Sequence, residues 1–149
     1  MKDKVQEFSV SHGESYQKII DYLLASGKKV FLLEGSVGLG KTTLTSNFVE
    51  ALANRKKIDF NSLNVMSPTY NIVNEYKLAE SRIFHADFYR IEDSPLEVEE
   101  ILEYIDRSEF SFIEWHEKMA DLEPNLNTYV KLVFIEYGED SRLVKALSY

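Results

Sequence analysis

The sequence predicts an α/β protein in which helices pack on a mostly parallel central sheet that ends in antiparallel strands. Three observations carry that prediction. A helical pattern, a short fully apolar run and a second helical pattern follow one another in the first third of the chain. Two strand-like segments close the sequence around Gly138-Glu139-Asp140. The composition is that of an ordinary globular chain, with 44% hydrophobic and 28% charged residues among 149. Alternating strand and helix favours a buried parallel sheet, and a strand pair around a turn favours an antiparallel extension.

Each element has its own reason. Residues 15–26 read as a helix because Ile19, Ile20, Leu23 and Leu24 recur at helical spacing, and Gly27 is a natural C-terminal stop. Val30-Phe31-Leu32-Leu33 is the pattern of a strand buried on both faces. Beyond a glycine-rich segment, Leu44, Phe48, Ala51 and Leu52 mark one face of the next helix. Residues 71–78 and 82–88 read as strands. Residues 95–105 form an acidic helix with Pro95 suited to its first turn. Ser111 to Trp115 is a short apolar strand, and residues 129–137 and 142–147 are the closing pair. No repeat, low-complexity tract or linker divides the sequence, so residues 1–149 are expected to form a single domain.

Composition excludes several classes. The formal charge of −8 would repel phosphate backbones, which disfavours autonomous binding to nucleic acid or anionic membranes. With no cysteine, disulfide frameworks, Cys-ligated zinc, iron–sulfur clusters and thiol catalysis drop out together. No apolar run approaches the ~20 residues of a membrane span. A soluble, cytoplasmic protein is expected.

Gly35-Ser36-Val37-Gly38-Leu39-Gly40-Lys41-Thr42 fits G-x-x-x-x-G-K-[ST] and lies between a buried strand and an amphipathic helix, as that motif requires. The chemistry explains the residue types. Glycines let the backbone bend sharply and approach phosphate oxygens without a Cβ in the way. Consecutive amides form an anion nest closed by the positive end of the following helix. Lys41 adds a mobile charge for the outer phosphates, and the Thr42 hydroxyl can ligate Mg²⁺. The segment is read as a nucleotide site.

No Asn is followed by Lys, so the guanine-specific N-K-x-D element is missing and ATP is favoured over GTP. The five arginines, Arg55, Arg82, Arg90, Arg107 and Arg142, form no lid of the kind that clamps a phosphoryl group for transfer to a metabolite. Hydrolysis therefore leads phosphoryl transfer as the expected reaction. Two acids, Asp87 and Glu114, end apolar strands, and strand C-termini converge beside the phosphate loop in a parallel sheet of this kind. From spacing alone each reads equally as a group within reach of a bound metal or as a solvated strand-end carboxylate. His85 reads as a hydrogen-bonding or packing residue rather than a metal ligand, and Phe88, Tyr89 and Trp115 read as core or interface aromatics. The acidic stretch from Glu92 to Glu103 reads as a solvated helix face, able also to dock on a basic partner.

Four motifs then occur in order: the glycine loop continued by Thr43, Ser67-Pro68-Thr69-Tyr70, His85-Ala86-Asp87-Phe88-Tyr89-Arg90, and Ile113-Glu114-Trp115. Together they resemble the bacterial TsaE family, the ATPase of tRNA threonylcarbamoyladenosine biosynthesis, over most of the chain. The resemblance implies a three-layer P-loop NTPase fold and slow, Mg²⁺-dependent ATP hydrolysis. It implies action with two partner proteins that transfer the threonylcarbamoyl group, so that tRNA is met only through that complex. Residue by residue it implies that Gly35, Gly38, Leu39, Gly40, Lys41, Thr42 and Thr43 hold the nucleotide. Thr42 and Glu114 would hold the metal, with Asp87, Glu114 and Lys41 catalytic. Thr69 matches a nucleotide-sensing switch, Arg142 a basic position near the nucleotide, and Ser11 a stretch approaching the base. Ser36, Leu39 and His116 stand where relatives commonly have Asp, Ala and Pro. Two other readings stay open, a small-molecule kinase and a nucleotide-dependent binding module in which hydrolysis is incidental.

Overall fold

The computed structural model describes residues 5–11, 13–66, 72–93 and 96–149. The Ser67-Pro68-Thr69-Tyr70 motif, the first residue of the strand expected at 71–78 and the Pro95 expected in a first helical turn lie outside the described residues. The first strand, β1 (Val5–Ser11), leads to α1 (Gln17–Ala25), β2 (Val30–Glu34) and α2 (Lys41–Arg55). Then come β3 (Asn64–Met66), β4 (Val73–Leu78), β5 (Ser81–Asp87), α3 (Val98–Asp106) and β6 (Phe110–Glu114). The antiparallel pair β7 (Val130–Tyr137) and β8 (Ser141–Ser148) completes the order.

Among the described residues the strands make one sheet in the order β1-β8-β7-β2-β6-β5-β4-β3. Its centre, β7-β2-β6-β5, is parallel. The expected antiparallel extension is there, as β8 pairs with β7. The antiparallel character goes further than the sequence suggested: β1 caps β8 on that side, and β4 and β3 continue the sheet on the other. β1 escaped the sequence reading because only Phe8 and Val10 are shielded along it, and the remainder of the strand is exposed. Three-residue β3 is too short to show a period.

Alternation along the central strand sorts the core into two layers. Phe31 and Leu33 join Ile19, Ile20 and Leu23 of α1 with Leu44, Phe48 and Leu52 of α2. Val30 and Leu32 face the other way and join Ile101 of α3 with Phe84, Ala86 and Ile113. Helices thus cover both faces, the arrangement a parallel sheet demands because its strands are apolar on both sides. Phe48 is fully buried among rings, with centroids 4.8 Å from Phe112, 5.0 Å from Phe110 and 5.9 Å from Phe31. On the opposite layer the Tyr104 ring stacks on Phe84 at 4.9 Å, and Arg107 sits over Tyr104 while donating at 2.6 Å to the buried Glu75 of β4. The glutamates at 97, 99, 100 and 103 are exposed, in agreement with a solvated face.

Glu123, in the turn before β7, accepts from Tyr129 at 2.6 Å and lies 3.1 Å from Lys131. Burial pushes its carboxyl up, but the Tyr129 hydroxyl and Lys131 ammonium outweigh that and hold it below the ordinary 4.5. A carboxyl depressed in the folded state contributes stability above its unfolded value and loses it as pH falls through the folded one. Glu123→Gln is therefore expected to flatten the acid limb of melting temperature against pH below about 4.5 and to leave its shape near neutrality unchanged. Phe48→Ala removes a fully buried ring with three aromatic neighbours and is expected to cost ~3–5 kcal/mol in a denaturant titration.

Candidate active site

The site is assembled where parallel strands end. β2 runs out at Glu34, the chain bends through Gly35 to Gly40, and α2 starts at Lys41. Two glycines in this bend are required by space as well as by angle. Gly35 has φ +143°, and a Cβ there would lie 2.8 Å from the Phe134 carbonyl oxygen and 2.9 Å from its Cβ. Gly40, the residue before the first helical turn, has φ +98°, and a Cβ there would run into the Tyr16 hydroxyl and the Arg142 guanidinium. No side chain caps the N-terminus of α2, so its first amides have no side-chain acceptor at the cap position. Exposed amides at the positive end of a helix suit a bound anion.

Lys41 is buried, donates to the Gly35 carbonyl and holds its ammonium 4.4 Å from the centre of the Trp115 ring. Beside it, Thr42 Oγ1 donates to Glu114, 2.9 Å from Oε2 and 3.2 Å from Oε1. His85 Nε2 lies 2.6 Å from the same Oε2. The Glu114 carboxyl, only 3% exposed, is thus gripped from α2 and from β5. Strand geometry explains the grouping. His85 and Asp87 are two residues apart on β5 and share a face of the sheet, and Asp87 stands in register with Glu114 on β6. Asp87 also accepts from the Tyr89 amide at 3.0 Å, which fixes its carboxylate at the start of the following turn.

Lys41, Thr42, Asp87, Glu114 and Trp115 open into one cleft of about 570 Å³, with His85 behind Glu114 and outside its lining. Of the residues singled out from sequence, Ser11, Gly38, Gly40, Lys41, Thr42, Thr43, Asp87, Glu114 and Arg142 all line it. Gly35 and Leu39 serve the loop through their carbonyls, which accept from Lys41 and Arg142. Thr69 lies outside the described residues. Phe88 is core, as read, whereas Tyr89 and Trp115 pack on each other at 5.0 Å on the wall of the cleft. Tyr16 was missed by sequence reasoning and no motif marks it; it also lines the cleft. His116 is buried, with Nε2 3.2 Å from Glu123 and 3.4 Å from Glu34. Among the described residues no group of three or more His, Asp or Glu is arranged to hold an ion unaided. One hydroxyl and one carboxylate fit Mg²⁺ that takes its remaining ligands from phosphate and water.

A glycine bend joining a central parallel strand to a helix, with acids at the neighbouring strand ends, defines a P-loop NTPase-like α/β protein. The family model "Threonylcarbamoyl adenosine biosynthesis protein TsaE" matches residues 10–144, and the chain belongs to that family. A Haemophilus influenzae protein named tRNA threonylcarbamoyladenosine biosynthesis protein TsaE is 33% identical over 144 residues, covering 95% of this chain and 85% of that protein. Its Bacillus subtilis namesake is 30% identical over 113 residues, 76% of this chain and 65% of its own. The crystal structure of Bacillus subtilis YdiB superposes with a TM-score of 0.67 at 25% identity, over 99% of this chain and 88% of that one.

Gly40→Ala tests the loop geometry. A left-handed alanine alone costs ~1–2 kcal/mol, and the crowding by Tyr16 and Arg142 adds to it, so a loss of at least that size is expected in thermal melting.

Proposed function

We propose that the protein binds ATP with Mg²⁺ on the glycine loop, hydrolyses the nucleotide, and so supports formation of threonylcarbamoyladenosine in tRNA alongside the transferase complex. The observation that carries the hydrolytic reading is the Thr42–Glu114–His85 chain at the foot of the loop, which keeps a hydroxyl and a carboxylate together beside a buried lysine. The role in tRNA modification rests on family membership and on the names of the relatives.

In this reading the loop amides and Lys41 bind the phosphates and neutralise charge that develops there during hydrolysis. Thr42 Oγ1 and Glu114 hold Mg²⁺, which supplies further charge neutralisation on the outer phosphates. Asp87 orients water at its carboxylate, or accepts its proton. Ser11 and Arg142, which line the same cleft, lie near the rest of the nucleotide, and Thr69 reports whether the outer phosphate is present. Two transferase subunits are the partners, and tRNA is met through them. The charge of −8 agrees with leaving the RNA to others.

Lys41→Ala and Glu114→Ala are each expected to remove ATP turnover by about a hundredfold or more, the usual weight of an electrostatic catalytic group, with the far-ultraviolet dichroism unchanged. Phosphate release assayed with and without the transferase subunits and substrate tRNA tests the wider role. Turnover that both variants retain overturns the site assignment. Phosphorylation of a metabolite in place of phosphate release makes the protein a kinase.

A further inference from the structure

We propose that Tyr16 and Arg142 are positioning residues that brace the Leu39–Gly40 bend from the antiparallel side of the sheet, so that the phosphate loop is shaped before any nucleotide arrives. The inference rests on the nucleotide reading above for its meaning, but its structural part stands on contacts within this chain.

Arg142 is on β8, far from the loop in sequence. Its Nη1 donates to the Leu39 carbonyl and lies 3.2 Å from the Tyr16 hydroxyl, so a single nitrogen ties the loop to the start of α1. Tyr16 itself is only 5% exposed and packs edge-on against Phe134 of β7, ring centroids 6.4 Å apart. The Phe134 backbone is the surface against which Gly35 fits. The first residue of the loop therefore rests on β7, and the last two are held by β8 and Tyr16. A glycine-rich bend gives up more conformational freedom on ordering than any other backbone, and its converging amides repel one another until an anion arrives. A guanidinium bonded to one carbonyl counters the first of these, by restricting the bend. In a trans peptide the carbonyl and N–H point in opposite directions, so fixing the Leu39 oxygen also fixes the Gly40 N–H on the other side of the same plane. Loop order established in advance is order that nucleotide binding no longer has to create.

The Leu44 amide reports on this brace, because it donates to the Gly40 carbonyl at 2.9 Å in the first turn of α2. The test is amide exchange by NMR on nucleotide-free protein, paired with titration of MgATP and MgADP. In Arg142→Gln the Leu44 amide should exchange about tenfold faster, the weight of one charge-assisted hydrogen bond, and MgATP and MgADP should weaken together by a similar factor. Tyr16→Phe, a near-isosteric change that keeps the ring packing, should shift both in the same direction by about threefold. Arg142→Lys should recover part of the loss. The Ile101 amide in α3, bonded to Glu97, is the control and should not move. Unchanged Leu44 exchange in Arg142→Gln overturns the proposal, and weakened MgATP alone would then make Arg142 a direct phosphate ligand. Equal acceleration at Ile101 also overturns it, since that marks general loosening. If the parent protein binds neither nucleotide, the nucleotide reading fails while the exchange result still decides the brace.

Discussion

The arrangement depends on one buried carboxyl group. Glu114 sits where almost no water reaches it, and a carboxyl in such a place is tolerated only when its oxygens find partners. The partners come from two elements far apart in sequence, the hydroxyl of Thr42 at the start of α2 and the ring of His85 within β5. To satisfy Glu114 the helix start, β5 and the end of β6 must be brought together, and that convergence is also what places Asp87 and Lys41 at the same cleft. The sheet topology supplies that convergence, and the contacts to Glu114 fix the side chains within it.

Two kinds of support surround that carboxyl. The parallel centre supplies depth: aromatic rings from β2, β6 and α2 interlock beneath the loop and leave little room for α2 to shift. The antiparallel side supplies the loop's outer boundary, through Phe134 against Gly35 and Arg142 against Leu39. The helix that carries Lys41 and Thr42 is thus fixed by packing from below and by polar contacts from above. Preorganisation of this kind is what electrostatic catalysis requires of a scaffold.

Much of this was legible in the chain. The continuous apolar run at residues 30–33 and the helical spacing after residue 42 are strong periodic signals, and both elements form with bounds within a residue or two. The glycine motif and the strand-end acids were legible because their chemistry demands particular residue types at fixed places. Less visible were the features that depend on partners. Tyr16 carries no motif, and its role exists only once β8 has delivered Arg142 beside it. Trp115 packs against the core, in line with its reading as a core or interface aromatic, but its place on the cleft wall beside Lys41, at a backbone turn of φ +58°, has no signal in the sequence. The edge strands β1 and β3 were invisible for a simpler reason, since short or half-exposed strands leave a weak pattern in the sequence.

Strand order has a consequence for how such a chain acquires competence during synthesis. β2 carries the loop and is made early, yet its neighbours on both sides, β6 and β7, begin at residues 110 and 130. Contacts of such long sequence separation form late and slowly. While the ribosome is still extending the chain, the first strand–helix unit has no flanking strands, and Gly35 and Leu39 lack the surfaces that define them. The nascent protein therefore cannot bring the loop to its final shape until β6 and β7 have emerged.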